Sequence, residues 1–450
     1  MPKRARCEAA PSSDVAELLA ALQGCGGRLD GAEVADFGPA GLGLRSTRDL
    51  NVGEVLAHVP ASAILCVATA LRSRLGKAVA THLGVHLDGA ALEQRGGVPA
   101  RAALQLYLVA CRHHHGDDLP RAHKAYAKSL PPVIPLPVTW PEQLCRQLLA
   151  GTDLERRVAQ TLGELRRQYD ACFPVLTVAE AELFPDAVFT WPAFLWAHTV
   201  LSSRAFPASC LSGAEDDDAG DADACGVLIP ILDVGNHNPE GGDLRWEPAT
   251  CTMVLTRPVR AGAQIWSSYG KKPTASWLTD YGFAPWGNDA DDSVSVRIGA
   301  VFSGDTCAAS RRHKLRLWGE VARSSALSLD CALTHAEPLP RQLLMAAHVC
   351  CLTPAQAAAM RQLLDSEQPS AAAAAMLAQL LQRRIDALHS GAGGETSFGE
   401  QLRAAQSDDC VPAGLDATCA VTPAGASAAY RESCRRILLA AHKAARELCE

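Results

Sequence analysis

The stretch LIPILDVGNHNP, residues 228–239, begins like a buried strand and ends like a turn. Leu228, Ile229, Ile231 and Leu232 make a short apolar run. Asp233, Gly235, Asn236, His237, Asn238 and Pro239 follow, six residues in seven that tend to break regular structure. A chain that leaves its core through Asp, Asn and His gathers acceptors, donors and a titratable ring in one loop. Loops of that kind carry function more often than architecture.

On either side of this loop the patterning changes character. Residues 31–67 alternate turn residues with short β-like pieces, and strand-like runs return from 226 to about 300 (CTMVLTRPV, AQIWSSYG, DSVSVRIG). Between them, from about 100 to 205, RAALQLYLVACRHHH, PEQLCRQLLAGTDLERRVAQTLGELRRQY and WPAFLWAHTVLSSRAF place apolar residues three and four apart, which predicts helices. After 310 the chain is helical again, most clearly in LPRQLLMAAHVCCL and YRESCRRILLAAHKAARELC. A first helix starts at Ser13 or Asp14 and stops in the glycines that end at Gly27.

Composition narrows the classes. The 450 residues suffice for two or three domains, and a net charge of −7 argues against a nucleic-acid surface. No run approaches the roughly 18 apolar residues of a membrane span. The 17 cysteines are odd in number and contain no C-x-x-C, so they read as reduced, structural thiols of an intracellular protein. Lys3, Arg4 and Arg6 precede the first helix without a secretory apolar region or a convincing transit peptide, so the cytoplasm or nucleus is the expected compartment, with the chloroplast as the alternative.

Three features invite sharper readings than they support. AEDDDAGDADACG (214–226) fits no calcium-loop spacing and is expected to be a solvated insertion. HSGAGGETSFGEQ (389–401) has the composition of a connector. His113, His114 and His115 would point about 100° apart on a helix, so a frayed helix end in solvent is expected rather than a metal cluster.

Gly41-Leu42-Gly43 is followed by a second strand, not the helix a dinucleotide fingerprint needs. Tyr269 and Tyr281 each precede a glycine, and each alone fits a hairpin edge. In combination the fragments say more. GLGLRSTRDLNVGEVL, DVGNH, GAQIWSSYG and YGF together resemble the SET-domain methyltransferases. KAYAKSLP, WPEQLCRQLLAGT and WAHTVLSSRAF narrow this to the Rubisco large-subunit lysine methyltransferase-like subgroup. The resemblance covers nearly the whole chain.

That resemblance implies an α+β protein. A β-rich SET core with a pseudoknot and a helical insertion at about 70–225 would span 30–290. It would follow an N-terminal helix in 1–29 and precede an all-α substrate-binding domain in 295–450. It implies S-adenosylmethionine as cofactor, a monomer, and a protein substrate held by the C-terminal helical domain, without nucleic acid or membrane. Asn236 and His237 would hold the cofactor's amino and adenine groups, partly through main-chain atoms. Ala40, Gly41 and Leu42 would offer backbone, Arg204 would grip the carboxylate, Asp233 would lie beside cofactor and substrate, and Tyr281, Gly282 and Phe283 would close the adenine side. Tyr269 is the expected catalytic residue, with Tyr281 lining the substrate channel. The implied reaction is lysine N-methylation of a non-histone protein. Alternatives are histidine methylation, whose enzymes have a small residue at the position of Tyr281, and an inactive SET fold that only binds. Three departures stand out. Ala40 replaces the usual Glu, Thr274-Ala275-Ser276 replaces Ser-Asn-Ala, and Ser267 or Ser268 occupies a usually hydrophobic position.

Overall fold

The computed structural model describes residues 13–86, 98–212, 226–238, 240–297, 301, 308–324, 330–352, 370–392, 400 and 419–449. The acidic stretch, apart from Gly226, and most of the 389–401 connector lie outside them. The chain forms two compact units. The first comprises Met1–Thr139, Gln160–Lys271 and Pro412–Leu415; the second comprises Trp140–Ala159, Lys272–Val411 and Asp416–Glu450.

Among the described residues the first unit holds nine short strands: β1 (Arg28–Leu29), β2 (Ala32–Asp36), β3 (Leu42–Ser46), β4 (Val55–His58), β5 (Val85–His86), β6 (Val98–Pro99), β7 (Leu244–Glu247), β8 (Thr252–Leu255) and β9 (Gln264–Ile265). One sheet has the order β1-β4-β8-β7 and another β2-β3-β9, while β5 and β6 pair in parallel. β2 and β3 form the hairpin that the GLG sequence suggested, in register from Asp36 opposite Leu42 to Ala32 opposite Ser46. Its alternation buries Leu44 completely and sets Arg45 opposite Glu33, where the two side chains form an ion pair.

The expected strand at 228–232 is not a strand. Only Val227 and Leu228 bridge to neighbours, Phe206 and Leu65. Pro230 has no N–H to give a ladder. Ile231 then turns at φ 72° into a 3-10 turn over Leu232–Val234. The apolar run is buried as read, but as a loop packed on its side chains.

The helical stretch of this unit centres on Ala100–Arg112, apolar on nearly all sides and buried from Ala102 to Cys111. Arg121–Ser129 and Trp191–Arg204 pack against it. Thr190 caps the latter by accepting from the Ala193 N–H, and its last residue is Arg204. Of the histidine triplet, His113 and His114 are exposed just past the helix end, as expected, and His115 is the exception. His114 takes φ 54°, and the half-buried His115 places Nε2 3.0 Å from the Leu183 carbonyl and its ring edge-on to Phe189. The left-handed step after the helix docks the ring on protein rather than leaving it in solvent.

His123, completely buried, sits 2.7 Å from the Tyr107 hydroxyl, and burial pushes its imidazole down to about 4. An unfolded imidazole protonates near 6.5. Stability from this group is therefore intact above about pH 6.5 and is lost as the pH falls towards 4, by up to about 3 kcal/mol. Thermal melts across that window should fall more steeply for the wild type than for His123→Gln. Parallel curves would remove His123 as a source of acid sensitivity.

The second unit is mainly helical: Glu142–Leu149, Ala308–Ser324, Arg341–Cys351, Ala371–Gly391 and Pro423–Glu447. Its described residues also carry two small antiparallel ladders, β10 (Ala284–Pro285) with β13 (Cys419–Ala420), and β11 (Ser293–Arg297) with β12 (Asp330–Thr334). Its core contains a cation. Arg431, 2% exposed, donates to the carbonyls of Leu148, Ala150 and Leu388. Two of these carbonyls belong to the end of the Glu142–Leu149 helix, where intrahelical partners run out. Here backbones almost touch: a Cβ on Gly151 (φ 74°) would lie 2.0 Å from the Ala387 carbonyl oxygen.

A second buried group organises the same unit. The Asp292 carboxylate accepts from the Thr274 N–H and hydroxyl, the Asn288 amide and the Ser433 hydroxyl. Thr274 thus has a structural partner where the family pattern suggested a different polar residue. The described cysteines form no disulfide, and six of them are buried. Among the described residues no helix is long and apolar enough to cross a membrane.

Candidate active site

The NH loop crosses the chain's later return. Ser267 donates to the Asn236 carbonyl at 2.8 Å and accepts from the Asn238 N–H at 2.9 Å, with a parallel bridge between His237 and Ser267. Ser267 is buried at this crossing, where a small side chain suits the close approach. A Cβ on Gly235 would meet Ser267 Oγ at 2.4 Å. Two residues on, Tyr269 donates its N–H to His237 Nδ1 at 3.2 Å and its hydroxyl to the Gly235 carbonyl at 2.9 Å. Its ring stacks on His237, with centroids 5.2 Å apart. An Nδ1 that accepts places the neutral ring's proton on Nε2. Both ends of Tyr269 are thereby fixed to the NH loop.

The next residues of the constellation form a relay that is buried at Asp233 and Tyr126 and partly open at Arg204. Arg204 Nη1 donates to the Asp233 carbonyl at 3.0 Å and to Asp233 Oδ2 at 3.1 Å. The Tyr126 hydroxyl, from the Arg121–Ser129 helix, donates to the same Oδ2 at 2.9 Å. Burial pushes the Asp233 carboxyl up, while Arg204 and Tyr126 pull it back. Burial also raises Tyr126 far above the usual phenol range, so its hydroxyl stays a donor. Burial works against the Arg204 charge, but the Asp233 carboxylate beside it outweighs that cost.

Two buried atoms here lack a hydrogen-bond partner: Asp233 Oδ1, an acceptor, and Asn236 Nδ2, a donor. Such groups cost about 1–3 kcal/mol each unless something pairs with them. The β2–β3 hairpin lies beside the second. A Cβ on Gly43 would fall 2.8 Å from Asn236 Nδ2 and 2.7 Å from the Phe37 ring. Ala40 ends the 3-10 turn Gly38–Ala40, Gly41 follows at φ 73°, and Leu42 opens β3. Ala40, Gly41, Leu42, Arg204, Asp233, Asn236, His237 and Tyr269 all lie in the first unit, on the hairpin, on the end of one helix and on two crossing segments.

Tyr281, Gly282 and Phe283 belong to the second unit. Trp277–Tyr281 is a single π-helical turn, closed by Gly282 in the left-handed region. The rings of Trp277, Tyr281 and Phe283 cluster with centroids 5.2–6.2 Å apart. The Lys272 ammonium lies 5.8 Å from the centroids of both Trp277 and Tyr281. Burial lowers the Lys272 pKa and raises that of Tyr281 to about 12. These aromatic faces accept a primary ammonium.

Solved structures with the same course of chain include that of Rubisco LSMT bound to AdoMet. It aligns with a TM-score of 0.69 at 18% identity, over 98% of this chain and 93% of that one. The fold is the SET fold of Rubisco LSMT. The resemblance drawn from the sequence motifs is borne out at that level, as is the α+β class. Among curated proteins, the actin-histidine N-methyltransferase of Danio rerio is 28% identical over 345 residues, 75% of this chain and 52% of its own length. The N-lysine methyltransferase SETD6 of Mus musculus is 24% identical over 273 residues, 58% of this chain and 52% of its own. The chain thus spans about half the length of these curated relatives. No family profile matches it.

Sequence reasoning missed two participants of this SET fold. Tyr126 stood inside KAYAKSLP, a motif used only to recognise the subgroup, although a Tyr in an otherwise Ala- and Lys-rich helix invites a question. Lys272 directly follows Gly270 and Lys271, with nothing in its surroundings to mark it as the lysine that turns to the aromatic rings.

Asn236→Ala should lower affinity for S-adenosylhomocysteine by about 1–3 kcal/mol, with little loss of stability, since its amide Nδ2 has no partner within the protein. Titration calorimetry and a thermal melt together decide this. Unchanged affinity with a large drop in melting temperature would make Asn236 a turn residue.

Proposed function

We propose that the protein is an S-adenosylmethionine-dependent protein-lysine N-methyltransferase acting on a non-histone protein. The observation that carries the cofactor is the pair of unpartnered buried atoms, Asp233 Oδ1 and Asn236 Nδ2, beside an arginine with unspent donors. An amino-acid nucleoside offers what they need: an ammonium for the acceptor, an acceptor for the amide, and a carboxylate for Arg204. Bound there, S-adenosylmethionine supplies a methyl carbon on a positively charged sulfur. Ala40, Gly41 and Leu42 contribute backbone only, which is all that Ala40 can give.

The chain's own residues align and stabilise rather than exchange protons. Tyr269 directs its proton to Gly235, so its oxygen would face a bound methyl donor as an acceptor. The ring stack on His237 holds that oxygen in place. The amine must arrive neutral, and desolvation favours that form, as it does for Lys272. Lysine as acceptor is supported by the Trp277, Tyr281 and Phe283 cluster, which already takes a lysine head group. The C-terminal helical region would hold the protein substrate.

Histidine is the second reading, favoured by the similarity to actin-histidine N-methyltransferases. The deciding experiment incubates the protein with labelled S-adenosylmethionine and a cell extract, then locates the label by mass spectrometry. Label on lysine supports the proposal, label on histidine selects the second reading, and no label leaves a fold that binds without transferring.

A further inference from the structure

We infer that Tyr126 is a positioning residue for the cofactor's carboxylate, acting through Asp233 on Arg204; this rests on the cofactor reading above. Tyr126 is 1% exposed, and its hydroxyl donates 2.9 Å to Asp233 Oδ2. That oxygen also accepts from Arg204 Nη1, whose other N–H is spent on the Asp233 main-chain carbonyl. A guanidinium has five N–H donors in a rigid plane. Fixing both donors of Nη1 leaves the Nε and Nη2 edge, the edge that matches a carboxylate with two parallel bonds. The direction of that edge is therefore set by where Asp233 sits.

Asp233 cannot hold its own position unaided. It belongs to the short Leu232–Val234 turn that follows the strained Ile231, not to a long helix or sheet. Its Oδ1 has no protein partner. Tyr126 and Arg204 are thus the groups that fix the carboxylate; both stand on helices packed on the buried Ala100–Arg112 helix, but Arg204 is the last residue of its helix whereas Tyr126 lies in the interior of the Arg121–Ser129 helix. The phenol serves as a fixed post, the carboxylate as a lever, and the arginine as the part that meets the ligand.

Tyr126→Phe keeps the ring and deletes the post. Affinities of the full-length protein for S-adenosylmethionine and for its decarboxylated analogue, each measured by calorimetry, give the test. The variant should bind S-adenosylmethionine about tenfold more weakly, the scale of one hydrogen bond to a charged group. Binding of the decarboxylated analogue should stay within about twofold, because it has no carboxylate for Arg204 to meet. Equal weakening of both ligands, including loss through misfolding, would assign Tyr126 to packing and overturn the inference. Unchanged affinity for S-adenosylmethionine would overturn it as well. A wild-type protein that binds neither nucleoside would instead overturn the cofactor reading, and the inference with it.

Discussion

Tyr269→Phe is expected to slow methyl transfer by about 30- to 1,000-fold, corresponding to about 2–4 kcal/mol of lost transition-state stabilisation. The substitution removes one oxygen and keeps the ring that stacks on His237. It also removes the hydroxyl's bond to Gly235, but the main-chain pairing of Asn236 and Asn238 with Ser267 still holds the loop. Cofactor affinity should therefore change by no more than about threefold. On the proposed function the oxygen would meet positive charge that grows as a methyl leaves sulfur, so the loss belongs in kcat rather than in binding. Single-turnover rates at saturating cofactor measure it. A variant that transfers methyl at the wild-type rate would deprive Tyr269 of its role. The companion change Tyr281→Phe should alter how many methyl groups are added more than the rate of the first.

Asp292→Ala should cost the second unit about 3–5 kcal/mol of stability. Four donors converge on this carboxylate, from Thr274 (twice), Asn288 and Ser433. Asp292 is 3% exposed, so water cannot readily replace what the truncation removes. The buried Thr274 N–H would be left without its acceptor, which is the expensive part of the loss. Asp292→Asn retains one acceptor oxygen and should fall between the two. Denaturant melts of the three proteins test the order. A loss below about 1 kcal/mol for the alanine variant would mean that the network is solvated.

What the sequence could reveal depended on how local the cause was. The β2–β3 hairpin is written in Gly41-Leu42-Gly43, and the Ala100–Arg112 helix in its apolar run. The NH loop was readable because Asp233, Asn236 and His237 lie within five residues. The strand expected at 228–232 failed on a local cue as well, since Pro230 lacks the N–H that a ladder position needs. Tyr126 was out of reach for another reason: its partner Asp233 is 107 positions away, and no periodic signal marks a single long-range hydrogen bond. The Lys272 ammonium over two rings depends on a π-helical turn, a local geometry that composition does not announce.

Arg431 carries a consequence for how the protein is made. Its guanidinium closes the end of the Glu142–Leu149 helix, 281 positions earlier at the Ala150 carbonyl, and also takes the Leu388 carbonyl. A nascent chain has no such closure until the ribosome has added residue 431. At about 5–20 residues per second, the Trp140–Ala159 segment waits roughly 15–60 s for its partner. During that interval the helix end has exposed carbonyls, and the chain around it is a natural client for a chaperone. Truncations that stop short of Arg431 should therefore leave protein that is degraded or aggregates, even though every residue of the NH loop and of the hairpin is already present.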